Sequence, residues 1–179
     1  MLNSKKTSRV GIFIDEANIY HSQKTVKWEV DYLRLRRFFT KFGRITVLNF
    51  YTSFQYENEK QNNFLMKIGQ YGYHVFRKKL KIIRKNNLYI KKGNLDIELA
   101  LDAYKLKNLY DIFILFSGDS DFEYLLKLLK DENKMIFVVS TRKHISKELF
   151  KTANKYFDLN KIRYEISMIK EDQPIGWSS

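Results

Sequence analysis

Residues 111–122 read Asp-Ile-Phe-Ile-Leu-Phe-Ser-Gly-Asp-Ser-Asp-Phe. The first half is a run of five large apolar residues, Ile112–Phe116, and such a run is typical of a strand buried on both faces of a parallel sheet. The second half changes abruptly to small polar residues and two carboxylates, Asp119 and Asp121. Since ligands of open α/β sheets bind at the carboxyl ends of the strands, these two acids lie where we expect a functional site.

On both sides of this strand, short apolar runs alternate with segments of helical spacing. The pattern predicts strands at 9–15, 45–51, 73–76, 111–117, 134–140 and 156–159, and helices at 31–42, 57–70, 95–109, 121–130 and 146–154. Two short runs around Asn86-Asn87 predict a hairpin between residues 80 and 91. The segment after Asp15 has no predicted helix, so Lys24 and Lys27 are placed in a loop. The alternation predicts a mostly parallel sheet covered by helices on both faces.

The composition excludes several classes of protein. A chain of 179 residues fits one domain with its own core. The absence of cysteine excludes disulfides, thiolate zinc sites, iron–sulfur clusters and cysteine nucleophiles, and the three widely spaced histidines disfavour a histidine-rich metal site. No apolar run approaches the ~20 residues of a membrane helix, and the first residues lack a secretory signal, so we expect a soluble, cytoplasmic protein.

The charge points to a polyanionic partner. The chain has 33 Lys and Arg against 20 Asp and Glu, a net charge of +13, and this surplus favours nucleic acid binding. A composition rich in Lys, Asn, Ile, Tyr and Phe could instead reflect an AT-rich genome.

The densest basic stretch, residues 77–92, leads directly into the helix that Asp96 opens. The candidate phosphate-binding residues are Arg77, Lys78, Lys79, Lys81, Arg84, Lys85, Lys91, Lys92, Arg142 and Lys143, with Lys24 and Lys27 weaker. The alternative for the hairpin is a set of solvated lysines that protects a sheet edge from aggregation.

Four acids fall at predicted strand or helix boundaries. Asp15 ends the first strand, Asp96 opens a helix, and Asp119 and Asp121 follow the strand described above. Each one alone would be interpreted as a helix cap or a turn residue. Together, carboxylates that repel one another are stabilised by a hard divalent cation, which can activate water against a phosphoryl group. Asp102 lies six residues after Asp96 and therefore points about 120° away from it.

Three motifs and two shorter segments carry a family resemblance. Residues 13–19 (Phe-Ile-Asp-Glu-Ala-Asn-Ile), 92–102 (Lys-Gly-Asn-Leu-Asp-Ile-Glu-Leu-Ala-Leu-Asp) and 111–122 occur in this order, followed by 146–149 and 157–159. They resemble NYN domains, in particular the LabA-like branch of the PIN-like nuclease superfamily. The resemblance implies a Rossmann-like three-layer α/β/α sandwich with a mostly parallel central sheet.

The resemblance also implies a catalytic centre. It identifies Asp15, Asp96, Asp119 and Asp121 as ligands of Mg²⁺ or Mn²⁺, and Asn18 and Ser117 as supporting polar residues of the same centre. Asp102 matches a recurrent acid of the family's helix. The chain departs from the family at Glu16, where many relatives carry glycine, and this adds a carboxylate beside the expected pocket.

The expected organisation is an N-terminal extension at 1–8, an NYN domain at 9–160, and a C-terminal extension with a flexible tail at 161–179. The expected function is metal-dependent hydrolysis of single-stranded or structured RNA. We expect no association with a membrane, and a homodimer or a complex with a protein partner is possible. The alternative is a non-catalytic RNA-binding or regulatory protein. Ala17 disfavours a haloacid dehalogenase phosphatase, and neither a Gly-x-Gly-x-x-Gly motif nor a nucleophile elbow is found.

Overall fold

The fold is built on a parallel sheet. The computed structural model describes residues 7–55, 58–85 and 88–168, with the backbone alone at 82–85 and 88–92. The strands are β1 (Arg9–Asp15), β2 (Arg44–Phe54), β3 (His74–Lys79), β4 (Lys81–Lys85), β5 (Leu88–Lys92), β6 (Ile112–Phe116), β7 (Met135–Ser140) and β8 (Lys155–Asp158). Six of them form one sheet in the order β3-β2-β1-β6-β7-β8, and all its neighbours are parallel. The predicted hairpin is the antiparallel pair β4–β5.

Helices cover both faces of this sheet. They are α1 (Glu16–Val26), α2 (Tyr32–Phe39), α3 (Glu59–Gln70), α4 (Asp96–Lys105), α5 (Glu123–Asp131), α6 (Lys147–Thr152) and α7 (Arg163–Ile166). The apolar sides of α1, α2, α3 and α7 pack in one core cluster, and those of α4, α5 and α6 in the other. The predicted three-layer α/β/α architecture is therefore confirmed. Within the described ranges, no helix has the length and apolar character needed to cross a bilayer.

The strand order places the functional edge. The chain runs outward from β1 to β2 and β3 and then returns to the other side of β1 with β6. The order therefore reverses between β1 and β6, and such a switch point opens a crevice at the carboxyl ends of the strands. Ile14 is paired with Phe116 in the register of the two strands, so Asp15 and Ser117 leave the sheet side by side.

The first helix was not predicted, and its composition explains why. α1 buries only Ile19 and Ser22, so it lacks the apolar stripe by which helices are recognised. The loop predicted for Lys24 and Lys27 is wrong, because Lys24 lies within α1 and Lys27 caps its C-terminus with φ +60°. The predicted helix ends at 40–42 and 107–109 are short 3₁₀ turns, as is the start at 120–122.

Gly11 in β1 accommodates an aromatic ring. A Cβ atom there would lie 2.5 Å from Cδ1 and 2.8 Å from Cγ of Tyr110. Tyr110 is fully buried, and its hydroxyl donates a hydrogen bond to the carbonyl of Ala103 at the end of α4. The missing side chain at position 11 therefore lets Tyr110 tie α4 to the sheet.

We expect Gly11→Ala to lower the free energy of unfolding by roughly 1–3 kcal/mol, because the ring or the strand must shift. Gly69→Ala is the matched control: apart from its chain neighbours and the nearby backbone of α3, no atom lies within 4 Å of a Cβ at this position, and the change should be neutral or stabilising by up to about 1 kcal/mol. Chemical denaturation of the three proteins measures both effects. A Gly11→Ala protein as stable as wild type would contradict the role given to Tyr110.

Candidate active site

Asp15 joins two segments that are far apart in the sequence. It is the last residue of β1 and the N-cap of α1, where one carboxylate oxygen accepts from the backbone N–H of Asn18 at 3.3 Å. The other oxygen accepts from the hydroxyl of Ser117, directly after β6, at 3.0 Å. The same hydroxyl accepts from the backbone N–H of Asp119 at 3.2 Å. The structure thus connects Asp15, Ser117 and Asp119 in one chain of hydrogen bonds.

Gly118 is enclosed between α1 and the loop that follows β7. Its backbone N–H donates to the side-chain oxygen of Asn18 at 2.9 Å, and its carbonyl accepts from the N–H of Ser146 at 2.9 Å. A Cβ atom at position 118 would lie 2.1 Å from the carbonyl oxygen of His144. Glycine is therefore required here by the close approach of the two backbones. Asn18 holds this arrangement in place.

Carboxylates from three segments of the chain lie at the carboxyl edge of the sheet. Asp119 is partly buried and accepts a hydrogen bond from the N–H of Asp121 at 3.0 Å. This hydrogen bond caps the 3₁₀ turn that leads into α5. Asp121 itself is exposed. Asp96, the first residue of α4, is partly buried and accepts from the side chain of Asn94 at 2.6 Å. The structure therefore places all four predicted acids at the carboxyl edge of the sheet.

Burial and neighbouring charges raise the pKa values of two of these acids. Burial raises the pKa of Asp15 to about 6, although hydrogen bonds from Asn18 and Ser117 oppose the shift, and the charges of Asp96 and Glu16 add to it. Burial also raises the pKa of Asp96, and the nearby charge of Asp119 raises it further. Burial and neighbouring negative charge thus disfavour the ionised forms of Asp15 and Asp96.

The donor set fits a hard divalent ion, although the side chains do not converge on one point. Within the described ranges, no three His, Cys, Asp or Glu side chains lie close enough to coordinate a common ion. Both oxygens of Asp15 and one of Asp119 are engaged in hydrogen bonds to neighbouring groups. Four carboxylates without sulfur ligands are the donors that Mg²⁺ and Mn²⁺ prefer.

An open cleft of about 280 Å³ lies beside Asp15 and Asp96. It is bounded by the start of α1, the carboxyl end of β2 and the start of α4, and its lining includes His21, Thr52 and Asn94. His21 and Thr52 were not predicted as site residues; His21 belongs to the helix that the sequence pattern did not indicate. A larger cavity of about 430 Å³, which Arg36 and His74 help to line, lies at the first half of β2, away from these acids.

Two further acids differ in their relation to the site. Glu16, where many relatives carry glycine, accepts a hydrogen bond from the hydroxyl of Thr52 at 3.1 Å, and burial raises its pKa. This residue therefore adds a carboxylate directly beside Asp15. Asp102 instead accepts from the hydroxyl of Tyr51 at 3.1 Å, and this hydroxyl also accepts from the side chain of Asn49 at 2.9 Å. Asp102 therefore fastens α4 to β2, in agreement with its direction on the helix.

The predicted basic residues are distributed unequally. Arg77, Lys78, Lys79 and Lys81 are exposed at the end of β3 and the start of β4. Lys78 forms a salt bridge with Glu98 at 2.6 Å, so part of its charge is used within the protein. Two more exposed cations, Arg142 and Lys143, lie in the loop that Gly118 contacts. The side chains of the remaining four lie outside the described residues: Arg84, Lys85, Lys91 and Lys92.

The raised pKa of Asp15 predicts a specific pH dependence of stability. Between about pH 4 and pH 6 the folded protein retains a proton that the unfolded chain has released, so stability falls as the pH rises through this window and stays lower above it. Asp15→Asn removes this penalty and keeps an oxygen for the N–H of Asn18. We expect the variant to exceed wild type by about 1–2 kcal/mol at pH 8 without divalent ions, and to match it near pH 4.

Urea titrations at a series of pH values measure these stabilities. Asp111→Asn is the control of opposite sign. Arg9 donates two side-chain hydrogen bonds to Asp111, at 2.7 and 3.1 Å, and lowers its pKa to about 2. This variant should be less stable than wild type at pH 8, and the difference should shrink below about pH 4. An Asp15→Asn protein less stable than wild type at pH 8 would show that Asp15 acts mainly as a favourable structural anion.

Known proteins resemble this chain over most of its length. The model of the NYN domain matches residues 9–160. The low amplitude and bright protein LabA of Synechococcus elongatus is 34% identical over 174 residues, which cover 94% of this chain and 93% of that protein. A protein of unknown function from Vibrio parahaemolyticus shares the fold, with a TM-score of 0.80 at 22% identity over 93% of this chain and 100% of its own. The chain therefore belongs to the NYN domain family, within the PIN-like nuclease superfamily, and to its LabA-like branch.

Proposed function

We propose that this protein is a metal-dependent ribonuclease that hydrolyses RNA phosphodiester bonds at the carboxyl edge of β1 and β6. The observation that carries the proposal is a set of carboxylates without an ion-pair partner among the described residues. Within the described ranges, none of the ion pairs involves Asp15, Asp96, Asp119 or Asp121, although the chain has a net charge of +13. An acidic group that forms no ion pair with the cations of the described residues is suited to a cation that comes with the substrate.

Each residue has a defined part in this proposal. Asp15, Asp96, Asp119 and Asp121 would hold Mg²⁺ or Mn²⁺. When bound, such an ion supplies a hydroxide near neutral pH and neutralises charge on the phosphoryl group. Ser117 fixes the orientation of the Asp15 carboxylate, and Asn18 holds the backbone of Gly118 beside it.

The RNA strand itself would be held on either side of the acids. Arg77, Lys79 and Lys81 are exposed and flank Leu80, which lines the cleft, and Arg142 and Lys143 are exposed in the loop that contacts Gly118, the neighbour of Asp119. Basic residues on both sides offset the repulsion between the acids and the RNA phosphates.

A non-catalytic RNA-binding protein is the second candidate. The separation of the carboxylates favours it, because within the described part of the chain no three metal-ligating side chains converge on one point. In that case the fold and the basic residues would bind RNA, and the acids would serve only as caps and turn residues.

Cleavage of end-labelled single-stranded RNA separates the two candidates. We expect wild type to cut the RNA in Mg²⁺ or Mn²⁺ and not in EDTA. Asp96→Asn and Asp119→Asn should each lose about 100-fold or more of the rate, since the ion supplies several kcal/mol of stabilisation. Both variants should bind RNA as tightly as wild type or more tightly, because each removes a negative charge that repels the RNA phosphates.

Asp131→Asn is the matched control, because Asp131 is an exposed aspartate at the end of α5. It should cut at the wild-type rate. If wild type binds RNA but does not cut it in either metal, the second candidate replaces the first. If Asp119→Asn cuts like wild type, the site has been placed wrongly.

A further inference from the structure

We propose that Tyr20 and His21, on the outer side of α1, form a stacking platform for an unpaired base of an RNA strand in the cleft beside Asp15. The inference rests on the proposed function, since it takes RNA as the ligand. It adds a base-binding subsite and restricts the substrate to RNA that is single-stranded at this point.

His21 lies at the cleft because of the helical register. Ala17 and His21 are one turn apart on α1, and both line the cleft together with Asp15 and Asp96. Ala17 presents only a methyl group, so the imidazole one turn later stands beside open space. His21 is exposed. An aromatic ring is thus available to solvent in the same cleft as two of the four acids.

Tyr20 supports this ring from the side. The centroids of the Tyr20 and His21 rings are 5.9 Å apart and their planes meet at 66°, an edge-to-face arrangement. Tyr20 is 46% exposed, and the ammonium of Lys24 lies 4.4 Å from its ring centroid. Tyr20 and His21 therefore form an aromatic pair with a positive charge next to it.

Position distinguishes His21, which Tyr20 contacts, from the other exposed aromatic residues. Tyr124 and Tyr164 are more exposed, at 71% and 86%, but neither lines the cleft. Exposure alone is therefore common in this protein and is not an argument for binding. His21 differs from them because its ring borders the space in which a strand positioned at Asp15 and Asp96 would lie.

The side chains of Tyr20, His21 and Lys24 are chemically suited to bind a nucleotide. Unpaired bases stack on Tyr and His side chains, whereas the bases of a duplex are already stacked on one another. Lys24 offers a cation for the adjoining phosphate. A base held here would fix the position of the strand relative to the acids.

The test measures binding in EDTA, so it does not depend on cleavage. Fluorescence anisotropy follows a labelled ten-nucleotide oligoadenylate and a strand of equal length whose interior residues are abasic. We expect His21→Ala to weaken binding of oligoadenylate about 10-fold and Tyr20→Ala several-fold. His21→Phe should bind like wild type, because it keeps the ring and loses the titratable nitrogens. Tyr164→Ala, an exposed tyrosine on α7, should leave affinity unchanged.

The abasic strand makes the assignment specific. Loss of the bases should weaken binding to wild type about 10-fold more than binding to His21→Ala, because the variant has already lost the stacking partner. Equal losses, or a His21→Ala affinity within twofold of wild type, would overturn the platform. So would a His21→Phe protein that binds as weakly as His21→Ala.

The outcomes separate this inference from the proposed function. If wild type cuts RNA with metal but His21→Ala shows no loss of base-dependent affinity, the platform fails and the ribonuclease stands. If wild type does not cut but the base-dependent loss is found, the ribonuclease fails and the platform stands as an RNA-binding subsite.

Discussion

The candidate site depends on the two hydrogen bonds that the Asp15 carboxylate accepts. One, from the backbone N–H of Asn18, caps the first turn of α1, and the other holds Ser117 after a strand that is about one hundred residues later in the chain. Through Ser117 the same carboxylate determines where Asp119 begins its turn. Burial makes the ionised form of this residue unfavourable. A single acid therefore organises the edge of the sheet and is itself destabilised by the position it occupies.

The aspartates at the two ends of the central strands have pKa values shifted in opposite directions. At the amino-terminal end, Arg9 and Asp111 neutralise each other with two side-chain hydrogen bonds, and the pKa of Asp111 is lowered. At the carboxyl end, Asp15 and Asp96 have raised pKa values and no ion pair within the described residues. One end of the sheet thus has its charges neutralised by an ion pair, whereas burial and neighbouring negative charge disfavour the ionised carboxylates at the other end.

Much of this arrangement follows from local sequence. The apolar run of β6 predicts a central parallel strand, and the acids after it are then expected at the carboxyl edge. The direction of Asp102 away from Asp96 follows from helix geometry, and the structure agrees. α1 could not be predicted, because a helix that buries so little has no apolar period. Nor could the Lys78–Glu98 pair or the bond between Asp15 and Ser117, since both join residues from different elements.

The enclosure of Gly118 has a consequence for the entropy of ion binding. Its peptide groups are held by Asn18 on one side and Ser146 on the other, and no side chain could be inserted between them. The backbone that carries Asp119 is therefore ordered before any ligand arrives. An incoming ion would have to restrict only the side-chain torsions of the carboxylates, and fixing side chains loses less conformational entropy than fixing a loop as well.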